Sequence, residues 1–129
     1  MKANLNMTNG VIKAGEFSYV RKARTIKAYE KEYEIPVKTV EFGDKLDEIR
    51  EELSKTTKTS DTISIIKRGI ALFIGKDEVE RIYPESEIQK ADVDEILGFW
   101  SALNYELNRN QSELLSRYTA SPTIRRGVL

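Results

Sequence analysis

Between Asp44 and Tyr118 apolar residues recur at helical spacing, and each periodic stretch is bounded by residues able to cap or stop a helix. Asp44 is placed to cap a helix running through Thr56, with Leu46, Ile49 and Leu53 as its buried stripe. The polar run from Lys55 to Ser60 reads as a loop. Ser60 or Asp61 then caps a second helix whose Ile63, Ile66, Ile70, Phe73 and Ile74 form a broad apolar face, closed by Gly75 just past its end. Lys76 to Tyr83 reads as a short helix with Val79, Ile82 and Tyr83 inward, stopped by Pro84, and a loop follows through Ala91. Asp92 opens a third strong helix, with Glu95 as capping-box partner and Val93, Ile96, Leu97, Trp100, Leu103 and Leu107 as its stripe. Asn108 to Asn110 offers a break. Asn110 with Glu113 then opens a last helix carrying Leu114, Leu115 and Tyr118, ended by Ser121-Pro122.

Upstream, Thr8-Asn9-Gly10 is a turn signal, and Leu5/Met7 with Val11/Lys13 could flank it as a short hairpin. Tyr19, Ala23, Ile26, Tyr29 and Tyr33 recur at helical spacing, which predicts a helix from Glu16 to Glu34, ended near Ile35 by Pro36. Val37 to Phe42 is rich in β-branched residues and reads as a strand or extended linker, punctuated by Gly43. The predicted fold is mainly α, a small helical domain of four to five helices to which a short amino-terminal β-hairpin could be added. Residues 1–43 form a basic arm or helix, 44–120 the helical core domain, and 121–129 a flexible tail.

Composition narrows the chemistry. The 129 residues suit one domain. There is no His and no Cys, which excludes His-based acid–base catalysis, Ser-His-Asp and Cys-His nucleophiles, and His/Cys metal sites. Disulfides cannot form, so a cytoplasmic protein is the simplest expectation. The first residues lack the apolar core of a signal peptide, and the longest strongly apolar run, Ile70 to Ile74, is far short of the roughly 18 residues of a membrane span. The formal net charge is zero, which removes any global basic field. It is unevenly spread: +4 over residues 1–40, −6 over 41–99 and +2 over 100–129. An acidic middle between basic ends could favour head-to-tail contact between copies, although solvated helix faces explain the same pattern.

Asp92-Val93-Asp94-Glu95 resembles the opening of a calcium loop, but Ile96 offers no ligand oxygen, and capping accounts for Asp92 and Glu95. No metal site or cofactor is expected. Asp44, Asp47, Glu48, Glu51 and Glu52 read as the wet face of one helix. Gly69, Gly75 and Gly98 are isolated and lie in no phosphate-binding loop. Gly69 and Gly98 are expected to mark close helix crossings, Gly98 beside Trp100. Arg21, Lys22, Arg24 and Lys27 interleave with Tyr19 and Tyr29 in a manner suited to nucleic acid. Glu30, Glu32 and Glu34 follow at once and oppose it. Arg125-Arg126 lies on the tail. What remains is apolar helical surface, which favours a protein-binding role over an enzyme.

The stretch from Asp61 to Gly75 (Asp-Thr-Ile-Ser-Ile-Ile-Lys-Arg-Gly-Ile-Ala-Leu-Phe-Ile-Gly), then Val79-Glu80-Arg81-Ile82-Tyr83-Pro84, then Phe99-Trp100-Ser101-Ala102-Leu103-Asn104, resembles the tail assembly chaperones of siphophages infecting Gram-positive bacteria. The likeness covers Asp44 to Tyr118. It implies a small helical, non-enzymatic protein of the host cytoplasm that coats the tape measure protein, recruits tail tube protein and self-associates as a homo-oligomer. Membrane and nucleic acid are not implied as partners. Ile70, Phe73, Ile74, Phe99, Trp100 and Leu103 are the residues expected to contact clients or other copies. Two rival readings are a structural virion component of the head–tail connector type and a small DNA-binding regulator using residues 21–27 with a helix-turn-helix. The best helices present acids rather than the Arg, Asn or Gln such a regulator needs.

Overall fold

A computed structural model of the chain describes residues 21–118. The fold is mainly α, with one two-stranded hairpin. In order, the elements are β1 (Thr25–Ala28), β2 (Lys31–Glu34), α1 (Val40–Ser54), α2 (Thr59–Ile74), α3 (Lys76–Ile82), a 3-10 helix (Glu85–Lys90) and α4 (Val93–Tyr118). Residues Arg24–Leu107 form one compact unit. The division expected at residue 43 falls inside α1. Tyr33 and Ile35 belong to the same buried cluster as Leu46, Ile70 and Leu103, so the part of the arm from Arg24 onward is part of the core unit.

The helix predicted from Glu16 to Glu34 is a hairpin over its described part. β1 and β2 pair antiparallel in the register Thr25↔Glu34, Ile26↔Tyr33, Lys27↔Glu32 and Ala28↔Lys31. The spacing of Ile26, Tyr29 and Tyr33 fits a helix, but Ile26/Ala28 and Tyr33/Ile35 also alternate with period two, and tertiary burial selects that pattern. The turn is Tyr29-Glu30, both at positive φ (55° and 67°), which is the backbone of a type I′ turn made without Asn or Gly. Long-range contacts of Tyr29, described below, stabilise a conformation its local sequence disfavours. The hairpin expected around Thr8-Asn9-Gly10 lies outside the described residues, as do Tyr19 and the 121–129 tail.

α1 begins earlier than expected. The Thr39 hydroxyl accepts from the Phe42 N–H at 3.0 Å, so Thr39 rather than Asp44 caps the helix; of the strand or extended linker expected over Val37–Phe42, Val37 to Thr39 precede the helix and Val40 to Phe42 form its first turn. Leu46 and Ile49 are buried along it, and Leu53 is half-buried. α2 begins at Thr59 after Lys58, which makes no side-chain cap. It ends where foreseen: Gly75 sits at φ 97° and its N–H reaches Ala71 O at 2.9 Å. α3 stops before Pro84, with Val79 and Tyr83 buried. α4 runs unbroken through the break expected at Asn108–Asn110, for 26 residues. Asn disfavours helix only mildly, and no Gly or Pro interrupts this part. At its head, Asp92 Oδ1 accepts from the Asp94 and Glu95 N–H groups at 2.9 and 3.3 Å, the cap read from the sequence.

α1 and α2 pack antiparallel. Phe42, in the first turn of α1, meets Phe73 in the last turn of α2 edge-on at 5.3 Å, while Glu52 near the end of α1 bonds Arg68. Between them, Gly69 lets the Trp100 ring of α4 approach: a Cβ there would lie 2.5 Å from Trp100 Cζ3 and 3.2 Å from Ile49 Cγ2. The close crossing expected at Gly69 is present. Gly98 is exposed, and a Cβ built on it meets nothing within 4 Å, so the expected crossing there is absent.

Candidate functional site

Two polar features stand on this frame. The first fastens the hairpin to the helices. The Tyr29 hydroxyl shares a hydrogen bond with Tyr83 OH and donates to Glu95 Oε2 at 2.7 Å, while its ring packs edge-on against Phe99 at 5.2 Å. Glu78 on α3 accepts from Lys31 Nζ at 2.9 Å, from Tyr33 OH at 2.8 Å and from Arg81, whose Nη2 also reaches Tyr29 O at 3.2 Å. These donors hold the Glu78 carboxyl down at about 2, the Lys31 ammonium foremost and the Tyr33 hydroxyl next. Burial, followed by the bonds to Tyr83 and Glu95, pushes the Tyr29 phenol up. Burial also raises Tyr83 and Tyr33. The result is a set of neutral phenols and an ionised Glu78, all engaged with one another as a strap between β2, α3 and α4.

The second feature is a cleft of about 400 Å³ at the head of α2, between that helix, the 3-10 helix and the head of α4. Ile63, Ile88, Ala91, Val93 and Ile96 supply its apolar lining; Lys58, Ser60, Ser64, Lys67 and Gln89 are among its polar members. Local sequence builds it. Pro84 stops α3, Glu87 N–H bonds Pro84 O at 3.0 Å to start the 3-10 turn, and Ala91 N–H bonds Ile88 O at 3.2 Å to finish it. The turn is tied to α2 by Lys67, whose stem is nearly buried and whose Nζ lies 2.9 Å from Glu85 Oε1 and 4.0 Å from Glu80 Oε1. Glu80 in turn accepts from the Glu85 N–H at 2.8 Å. An apolar floor with lysines at the side suits an aliphatic group carrying a nearby carboxylate.

The six residues expected to contact partners lie elsewhere. Ile70 and Leu103 are fully buried, and Phe73 and Phe99 nearly so; only Ile74 and Trp100 keep partial exposure. Periodicity located the stripes correctly but not their cover: Tyr29 lies on Phe99, and Phe42 lies on Phe73. Four of the six are therefore buried in this fold. The basic and aromatic strip of residues 21–29 is not assembled either, because Arg24 is buried and Tyr29 turns toward Tyr83 and Phe99. Among the described residues no cluster of three or more His, Cys, Asp or Glu could hold a metal, and no helix is long and apolar enough to cross a membrane. Sequence reasoning missed the cleft. Its one available signal was the Lys67 and Ile63 pair on α2 opposite Ile88, a residue it left in a loop. No protein-family model, curated protein or solved structure matches the chain.

Proposed function

We propose that the chain is a non-enzymatic phage tail assembly chaperone, working in the host cytoplasm by binding tape measure and tail tube proteins as an oligomer. The resemblance over residues 44–118 suggests the class. The lining of the cleft is the observation that supports binding: an aliphatic floor of Ile63, Ile88, Val93 and Ile96 edged by lysines, hydroxyls and a single carboxylate, Glu85. The most perturbed titratable groups, Tyr29 and Glu78, are engaged in the strap rather than turned to the cleft, which agrees with a structural use. Chaperoning of a long helical client asks for reversible cover of apolar surface, and an aliphatic cleft with charged edges supplies that weakly. Co-expression of the tagged chain with the tape measure and tail tube proteins of the same tail is the test. Recovery of either client supports the reading, and recovery of the chain alone as a free monomer contradicts it.

A further inference from the structure

We propose that, while no client is bound, the cleft at the head of α2 receives Val40 and Glu41 of a second copy of this chain, a head-to-tail contact that a client displaces; this rests on the protein-binding reading of the same cleft. Val40, at the first position of α1, is 83% exposed, more than any other large apolar side chain among the described residues. Val37 beside it is 52% exposed, so a short apolar knob stands at this corner. Glu41 follows directly, its side chain 81% exposed, and Asp44 is exposed one turn on. Glu41 is tied only to Lys45, at 3.6 Å in a solvent-exposed pair of the kind that yields readily. The cleft offers the complement. Its floor takes an aliphatic side chain, Lys58 carries no ion pair among the described residues, and Lys67 is held by an exposed Glu85 that an incoming carboxylate can displace.

Knob and cleft lie at opposite ends of α2. Phe42 lies against Phe73, so the knob sits near the carboxyl end of α2, while the cleft is built on Lys58 to Lys67 at the other end. Ten residues separate Ile63 from Phe73, about 15 Å along the helix. Knob and cleft on one molecule are thus distinct patches, and each copy can engage two neighbours. Such a contact propagates as a row or closes as a ring, the smallest ring being a pair in which each knob fills the other copy's cleft.

The absence of cysteine makes the test clean. Chains carrying V40C and Q89C, mixed and oxidised, should give the crossed 40–89 disulfide as the main covalent product. Failure to form it, or predominance of 40–40 or 89–89 products, overturns the proposal. In sedimentation velocity, Val40→Asp and Lys58→Glu should each weaken self-association at least about tenfold. Both positions are exposed and tolerate an acid at a helix start. Mixing the two variants should restore a 1:1 pair and nothing longer, because one retains the cleft and the other the knob. Loss without restoration overturns the head-to-tail arrangement. Client capture by the wild-type chain is read in parallel. Captured clients without the crossed disulfide sink this contact and leave the chaperone reading standing, and the crossed disulfide without clients does the reverse.

Discussion

Alanine at Gly69 and alanine at Gly98 should have unequal effects, Gly98→Ala giving the more stable chain, although both glycines lie inside helices. In each case the helix gains about 1 kcal/mol from the change in propensity. At Gly98 that is the whole effect, since the position is exposed and the new methyl meets nothing within 4 Å. At Gly69 the methyl would lie 2.5 and 2.6 Å from two atoms of the Trp100 ring and 3.2 Å from Ile49 Cγ2. The ring must move by about 1 Å, against Phe73, which it meets edge-on at 6.1 Å. Overpacking of this kind costs about 1–3 kcal/mol. The propensity gain is common to both variants, so their difference isolates the clash at about 1–3 kcal/mol, or roughly 4–12 °C in Tm for a chain of this size. Urea unfolding followed by far-UV circular dichroism measures it, and the single tryptophan reports the same crossing by fluorescence. Equal stability of the two variants, or a more stable Gly69→Ala, would refute the helix crossing described here.

Other outcomes follow from the same contacts. Leu103→Ala should cost about 2–5 kcal/mol in chemical unfolding, as for any fully buried leucine, whereas a surface contact residue would cost little. At the hairpin turn, Glu30→Gly should stabilise the fold by about 0.5–1 kcal/mol by relieving a positive φ, and Glu30→Val should destabilise it. Tyr29→Phe should cost about 1–2 kcal/mol through the lost bonds to Tyr83 and Glu95. The depressed Glu78 carboxyl stabilises the native state fully above its ordinary 4.5, and that contribution is lost as pH falls through about 2. Glu78→Gln should therefore melt lower than wild type at neutral pH, with the gap closing between pH 4.5 and 2 in calorimetry; a gap unchanged by acid would exclude the carboxylate as the hub of the strap.

The helices from Leu46 onward were legible because their signals are local: a 3.6-residue apolar period, Gly75 past the end of α2, Pro84 after α3, Asp92 before α4. The hairpin was not, because Tyr29-Glu30 is no turn former. Its positive φ angles are held by partners more than fifty residues away, which a local pattern cannot reveal. Similarly, Thr39 out-competed Asp44 as a cap, and Asn108–Asn110 carried too small a propensity penalty to end α4. Phe73 and Phe99 read as apolar and prominent, yet apolar periodicity reports that a face is covered without saying by what. Here the cover is Phe42, Tyr29 and Tyr33 of the same chain, which moves the candidate surface to the cleft. That cleft needs Lys67, Ile88 and Val93 from three separate elements, so it becomes visible only once they are folded together.

The central claim is that this chain acts by holding other polypeptides at the α2 cleft. Quantitative capture of co-expressed tape measure and tail tube proteins, by wild type and by Lys58→Glu, tests it most directly. Wild type should capture both clients clearly, and the variant, still folded by circular dichroism, several-fold less. Equal capture by both would remove the cleft from the mechanism, and no capture by either would contradict the chaperone reading itself.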